Sequence, residues 1–252
     1  MSISETSSIA PNPEHARQER KNNFLTVLGE FLTLLHQEYG ADFPLWLYSS
    51  AAIMLLDQEE KITSAIPKDV DMKTTPEGVA KLWQFLKKYE DILQPKLLLE
   101  NSAQDFEEKA LTTFDQNVEK NSKKIAEASV TVTDFFLHLR VKIVYQDKPL
   151  ELDIWSGVGD GQIALTRQDQ DKTLIPGINI QDNSLTVPFD YVQEKQTHQQ
   201  VVKILDPEAL LAVYHYVAKL GKKYSVDKST HQENIRRQET MGHIQRLKSI
   251  SQ

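Results

Sequence analysis

The sequence contains no cysteine in its 252 residues. This absence excludes disulfide bonds, thiolate metal sites and cysteine nucleophiles together. No stretch approaches the roughly 18 apolar residues that a membrane-spanning helix needs. Residues Met1 to Lys21 also lack the apolar segment of a secretory signal. We therefore expect a cytoplasmic protein that has no membrane partner.

Positive charge is scarcer than negative charge. The chain has 29 Lys and Arg against 36 Asp and Glu, which gives a formal net charge of −7. A protein that coats nucleic acid needs a broad basic surface, so we do not expect that class, although a local basic patch for a structured RNA or a nucleotide stays open. Hydrophobic residues at 40% and charged residues at 26% are typical of a globular protein.

Composition and hydrophobic periodicity divide the chain into three parts. Residues 1–21, rich in Ser, Pro, Asn and Glu, are predicted to be a disordered N-terminal arm. Residues 22–195 are predicted to form an α/β core with a helical insertion around 76–128, and residues 196–252 a C-terminal helical region. The predicted fold class is α+β, a mixed sheet with flanking helices.

Local patterns predict the main elements of that core. Apolar residues recur at helical spacing from Asn22 to Tyr39, and the apolar run from Pro44 to Tyr48 predicts a buried strand. Residues 94–128 are predicted to be mixed or helical, and residues 157–183 a long loop or a pair of short strands. A capped helix is predicted from Asp206 to Gly221.

A β-hairpin is predicted near the middle of the chain. Val130 to Tyr145 is rich in β-branched and aromatic residues, and a polar break separates it from Leu150 to Trp155. The second arm of this hairpin carries Asp153.

Three aspartates on predicted strands suggest a metal site. Asp69 and Asp71 are two residues apart, so on a strand both side chains project to one face. Asp153 adds a third carboxylate on a later strand. Mg²⁺ prefers hard oxygen ligands, and a third carboxylate would complete a two-metal arrangement for phosphate chemistry. The alternative is a pair of solvated strand ends, because short acidic motifs occur by chance.

Four further residues are candidates for phosphate contacts. Ser49 and Ser50 lie where the predicted strand meets a helix, so they are either an N-cap or part of a phosphate-binding turn. Lys68 and Lys73 flank the acidic pair. They would neutralise phosphate charge or form surface ion pairs of small worth.

The order of these motifs resembles the nucleotidyltransferase superfamily of the DNA polymerase β type, and within it the AbiEii-toxin-like and minimal bacterial members. The three family motifs are matched by Leu47-Tyr48-Ser49-Ser50-Ala51-Ala52, by Asp69-Val70-Asp71-Met72 and by Leu152-Asp153-Ile154. The sequence departs from the family at Ser49, where glycine is usual. Glycine adopts positive φ angles without steric cost.

The resemblance implies a Mg²⁺-dependent nucleotidyltransferase. Such an enzyme moves a nucleoside monophosphate from an NTP such as ATP to an acceptor hydroxyl of a protein, an RNA such as tRNA, or a small molecule. The resemblance implies Asp69, Asp71 and Asp153 as catalytic and metal-binding residues of a two-metal site, and it implies nucleotide-binding roles for Ser49 and Ser50. Nucleotide-binding roles for Lys68 and Lys73 are predicted from their position beside the acidic pair. The toxin-like members further suggest an antitoxin-like protein partner.

Two alternatives stay open. In the first, the serine in place of glycine leaves a catalytically weak or inactive protein that binds a nucleotide or a partner on the same fold. In the second, the acidic strands are a coincidence and the protein is an α+β interaction module.

Overall fold

A computed structural model describes most of the chain. The described residues are 12–57, 66–100, 106–109, 138–156, 158–159, 162–165, 173–224 and 231–250. They form an eight-stranded mixed sheet with helices packed against it and a separate three-stranded sheet. This arrangement confirms the predicted α+β class.

The bounds of the elements are as follows. The helices are α1 (Pro13–Tyr39), α2 (Ser50–Leu56), α3 (Pro76–Lys88), α4 (Glu90–Leu93), α5 (Pro207–Tyr224) and α6 (His231–Ile250). The strands are β1 (Leu45–Leu47), β2 (Asp69–Thr74), β3 (Lys96–Glu100), β4 (Phe106–Lys109), β5 (His138–Tyr145), β6 (Lys148–Ser156), β7 (Val158–Gly159), β8 (Gln162–Leu165), β9 (Thr173–Asn179), β10 (Ser184–Gln193) and β11 (Gln196–Leu205).

The order of strands in the large sheet is β10-β11-β1-β2-β6-β5-β3-β4. Two of its pairs, β1 with β11 and β2 with β6, are parallel, whereas the other pairs are antiparallel. Strands β7, β8 and β9 form the small sheet where a long loop or two short strands were predicted. The parallel pair β2–β6 lies at the centre of the large sheet, and it carries the predicted aspartates.

Helix α1 begins earlier than the sequence predicted. The side chain of Asn12 accepts a hydrogen bond from the backbone N–H of Glu14, and Pro13 occupies the first turn, so both features favour a helix start there. Residues 13–21, expected in a disordered arm, are therefore helical. Residues 1–11 of that arm lie outside the described part of the chain.

The predicted helical insertion is partly wrong. Residues 96–100 and 106–109 are the antiparallel strands β3 and β4, and β3 also pairs with β5. The pairing of β3 with β5 joins segments that are distant in sequence, so no local pattern indicates it. The prediction also covers residues 101–105 and 110–128, which lie outside the described part of the chain.

The C-terminal helical region also begins later than predicted. Residues 196–205 form β11, which pairs along its length with β10. The turn between them consists of Glu194 and Lys195 with φ angles of 49° and 66°, the conformation of a tight two-residue hairpin. Helix α5 follows and continues to Tyr224, past the predicted end at Gly221.

The predicted hairpin around Asp153 is confirmed by β5 and β6. Its turn consists of Gln146 and Asp147, again with positive φ angles, 48° and 62°. The turn fixes the antiparallel register, in which Arg140 lies opposite Asp153. Residues 130–137 of the predicted first arm lie outside the described residues.

The core lies between the sheet and the helices α1 and α3. Phe31 of α1 and Phe85 of α3 meet edge to face with ring centres 5.6 Å apart. On β2, Val70 and Met72 are fully buried, whereas Asp69 and Asp71 project to the other face. Among the helices that the structure describes, none is long and apolar enough to cross a membrane.

Candidate functional site

The parallel pairing of β2 with β6 brings the three predicted aspartates together. Asp71 lies opposite Asp153, and Asp69 lies opposite Glu151. Residues opposite each other on neighbouring strands project to the same face of a sheet. One carboxylate oxygen from each of Asp69, Asp71 and Asp153 lies within 4.8 Å of the other two, a spacing at which one ion could be bound.

The surroundings of Asp69 and Asp71 favour the protonated forms of these two acids. Burial, helped by the neighbouring Asp69 and Asp153, raises the pKa of Asp71 to about 7, although the Ser49 hydrogen bond and Lys73 oppose the rise. Burial likewise raises the pKa of Asp69, while Arg140 lowers it. A divalent cation would remove this repulsion and displace the protons. The acidic, all-oxygen donor set fits Mg²⁺.

Arg140 is a site residue that the sequence did not reveal. Its Nη2 lies 3.1 Å from Glu151 Oε2 and 3.6 Å from Asp69 Oδ2, and its Nη1 lies 3.8 Å from Asp153 Oδ2. The arginine therefore compensates three carboxylates on two strands. The only sequence signal was alternation along the predicted hairpin, which places Arg140 on one face of its strand without saying what lies opposite.

Ser49 has an unusual backbone conformation at the end of β1. Its φ of 76° and ψ of −150° lie in a region that is almost restricted to glycine. In the nucleotidyltransferase motif that residues 47–52 resemble, glycine is usual at this position. Its side chain makes no capping hydrogen bond to α2; instead the hydroxyl donates to Asp71 Oδ2. Ser50 is the first residue of that seven-residue helix.

The two candidate lysines differ in their surroundings. Lys73 is buried, with its Nζ 5.0 Å from the ring centre of Tyr48 and 5.5 Å from that of Trp155. Burial lowers the pKa of Lys73 to about 8, against the effect of Asp71 and Asp153. Lys73 is therefore not a surface ion pair, whereas Lys68 is exposed.

Helix α5 contributes Tyr214 to the edge of the site. This residue is buried, with only 8% of its surface exposed. Burial first, and then Asp71, raise the pKa of Tyr214, and the nearby Ser49 hydroxyl lowers it. The Tyr214 hydroxyl is buried and makes no hydrogen bond with any of the residues that the structure describes.

Comparison with known proteins adds little to this geometry. No protein-family model matches the chain, and no curated protein sequence matches it. Among solved structures, the chain is similar to the crystal structure of the Megavirus polyadenylate synthase, with 11% sequence identity and a TM-score of 0.36. The match covers 99% of this chain and 37% of that one. A likeness this low carries no argument about fold or activity.

Proposed function

We propose that the protein is a Mg²⁺-dependent nucleotidyltransferase. It would transfer a nucleoside monophosphate from an NTP such as ATP to an acceptor hydroxyl and release pyrophosphate. The observation that supports this proposal best is the parallel register of Asp71 with Asp153, which gathers both with Asp69 on one face of the sheet. A carboxylate cluster of this kind suits the binding of metal-bound phosphates.

The three aspartates have distinct roles in the proposal. Asp69 and Asp71 would hold Mg²⁺ against the triphosphate, while Asp153 would share the metal and orient or deprotonate the attacking hydroxyl. When bound, Mg²⁺ supplies neutralisation of the charge that develops on the attacking and leaving oxygens. The raised pKa values of Asp69 and Asp71 support this assignment, because such carboxylates gain most from a cation.

The nucleotide-binding roles of Ser49, Ser50, Lys68 and Lys73 stay predictions. Lys73 has the better support, since its charge is buried close to Asp71 and Asp153 and is therefore weakly screened. The Ser49 hydroxyl donates its hydrogen bond to Asp71, so Ser49 would affect phosphate binding indirectly, by positioning that carboxylate.

One observation favours a second candidate, a nucleotide-binding protein with little or no turnover. Ser49 stands at the glycine position of the resembled family, and its hydroxyl engages an oxygen of Asp71. A cation at Asp71 would have to compete with that hydrogen bond. The likeness to AbiEii-toxin-like members, the antitoxin-like partner and the nature of the acceptor also stay predictions.

A thermal-shift titration tests the proposal. The wild type and Asp71→Asn are melted with each of the four NTPs, with and without Mg²⁺, and the exposed Asp190→Asn serves as the control. Ligand that binds the folded state raises Tm by mass action. The proposal predicts a Mg²⁺-dependent rise for at least one NTP, lost in Asp71→Asn and kept in Asp190→Asn.

Pyrophosphate release then separates the two candidates. Release in the presence of an acceptor supports the transferase. Binding without release over a broad acceptor screen favours the nucleotide-binding protein. No Tm shift with any NTP would contradict both and favour the interaction module.

A further inference from the structure

Among the three carboxylates of β2 and β6 that the Arg140 guanidinium contacts, one is close and two are more distant. Its contact with Glu151, at 3.1 Å, is a hydrogen bond, whereas those with Asp69 and Asp153, at 3.6 and 3.8 Å, exceed hydrogen-bond length. Glu151 lies outside the three-aspartate cluster. The arginine is thus anchored by a residue that the metal does not need.

This arrangement allows an exchange of partners. A cation bound by the aspartates would take over the charge compensation that Arg140 gives to Asp69 and Asp153. Glu151 would still hold the guanidinium at the edge of the cluster, because that hydrogen bond does not involve the metal ligands. The guanidinium would then lie beside the phosphates that the cation brings, and its planar set of N–H donors matches phosphate oxygens.

We propose that Arg140 serves as the counter-ion of the acidic cluster before a divalent cation binds, and then donates hydrogen bonds to the phosphates of the bound nucleoside triphosphate. This inference rests on the proposed function and names a substrate-contacting residue for it. It predicts two effects of opposite sign at one residue. Arg140 opposes binding of the cation alone and favours binding of the nucleotide.

The test uses Mn²⁺ as the probe ion and ATP, GTP, CTP and UTP as probe nucleotides. Mn²⁺ affinity is measured by electron paramagnetic resonance and nucleotide affinity by calorimetry at saturating Mn²⁺. The variants are Arg140→Gln, Arg140→Lys and the control Lys142→Gln. Lys142 lies two residues after Arg140 on the same strand and pairs with Glu151. Melting curves check that each variant is folded.

Arg140→Gln should bind Mn²⁺ about tenfold more tightly, since a positive charge beside the aspartates is removed. At saturating Mn²⁺ it should bind the preferred nucleotide about tenfold more weakly, since charge-assisted hydrogen bonds are lost. Arg140→Lys keeps the charge and loses the planar donors, so only its nucleotide affinity should fall. Lys142→Gln should change either affinity less than threefold.

Different failures point to different errors. If the wild type binds neither Mn²⁺ nor any nucleotide, the proposed function fails and the inference fails with it. If the wild type binds both and Arg140→Gln behaves like the wild type, the inference alone is overturned. Should Arg140→Gln not fold, unchanged nucleotide affinity in Arg140→Lys would overturn the inference, and a loss there would support it.

Discussion

Ser49 donates a hydrogen bond from its hydroxyl to the carboxylate of Asp71, although Ser49 lies in the turn before α2 and Asp71 lies on β2. The backbone of Tyr48 makes a second link, because its N–H donates to the carbonyl of Asp71 over 3.1 Å. The strained turn after β1 and the acidic strand β2 are therefore coupled. A change at either residue should alter both the stability of the fold and the charge state of the site.

Replacing Ser49 separates backbone strain from the hydrogen bond. Ser49→Gly and Ser49→Ala both remove the hydroxyl, so their difference reports the backbone alone. Glycine adopts φ 76° and ψ −150° readily, whereas alanine retains the strain. We expect Ser49→Gly to be more stable than Ser49→Ala by about 1–3 kcal/mol in urea unfolding. Equal stability of the two variants would contradict the strained conformation.

Asp71→Asn should stabilise the metal-free protein strongly at pH 8 and clearly less at pH 5. The unfolded carboxyl titrates near 3.8 and the folded one near 7. Between these values the native state holds more protons than the unfolded state, so the free energy of unfolding falls as pH rises. Asparagine removes this penalty. Tm measured in chelator should therefore rise by several degrees at pH 8, with Asp190→Asn as the control.

The same two melting series can contradict the assignment. An Asp71→Asn gain of equal size at pH 5 and pH 8 would mean that the native Asp71 titrates as an ordinary carboxyl. A loss at pH 8 would mean that the negative charge of Asp71 stabilises the fold.

Two tyrosines offer a matched comparison. The Tyr191 hydroxyl hydrogen-bonds to Thr33 Oγ1 over 3.0 Å, whereas the buried Tyr214 hydroxyl has no hydrogen-bond partner within the described part of the chain. Phenylalanine keeps the ring and removes the hydroxyl. Tyr191→Phe should cost about 1 kcal/mol, and Tyr214→Phe should be neutral or stabilising. Urea unfolding at pH 7 measures both, and a Tyr214→Phe loss as large as that of Tyr191→Phe would show that its hydroxyl is bonded.

The packing of α1 on β10 depends on a glycine. A Cβ atom at Gly29 would overlap the Tyr191 ring, whereas one at Gly242 in α6 would meet nothing within 4 Å. Gly29→Ala should therefore destabilise the protein by about 1–3 kcal/mol through overpacking. Gly242→Ala should stabilise it by about 0.5–1 kcal/mol through helix propensity. Similar effects of the two substitutions on Tm would contradict the close approach of α1 to the sheet.

Several features of this protein follow from local sequence. The one-face placement of Asp69 and Asp71 depends only on the two-residue period of a strand, and the confirmed hairpin depends on β-branched residues on either side of a polar break. The apolar stripe of α1 also indicated its buried face, although not its first residue. Such features are set by neighbours within a few residues, so the sequence alone determined them.

The tertiary structure decided how these pieces meet. The pairing of β2 with β6 joins Asp71 to Asp153 through hydrogen bonds between distant segments, which no local pattern encodes. The tight turn at Gln146 and Asp147, which lacks the usual glycine, sets the register that places Arg140 among the acids. The parallel pairing of β11 with the distant β1 is likewise a long-range contact. The sequence supplied the three carboxylates, and long-range strand pairing made them one site.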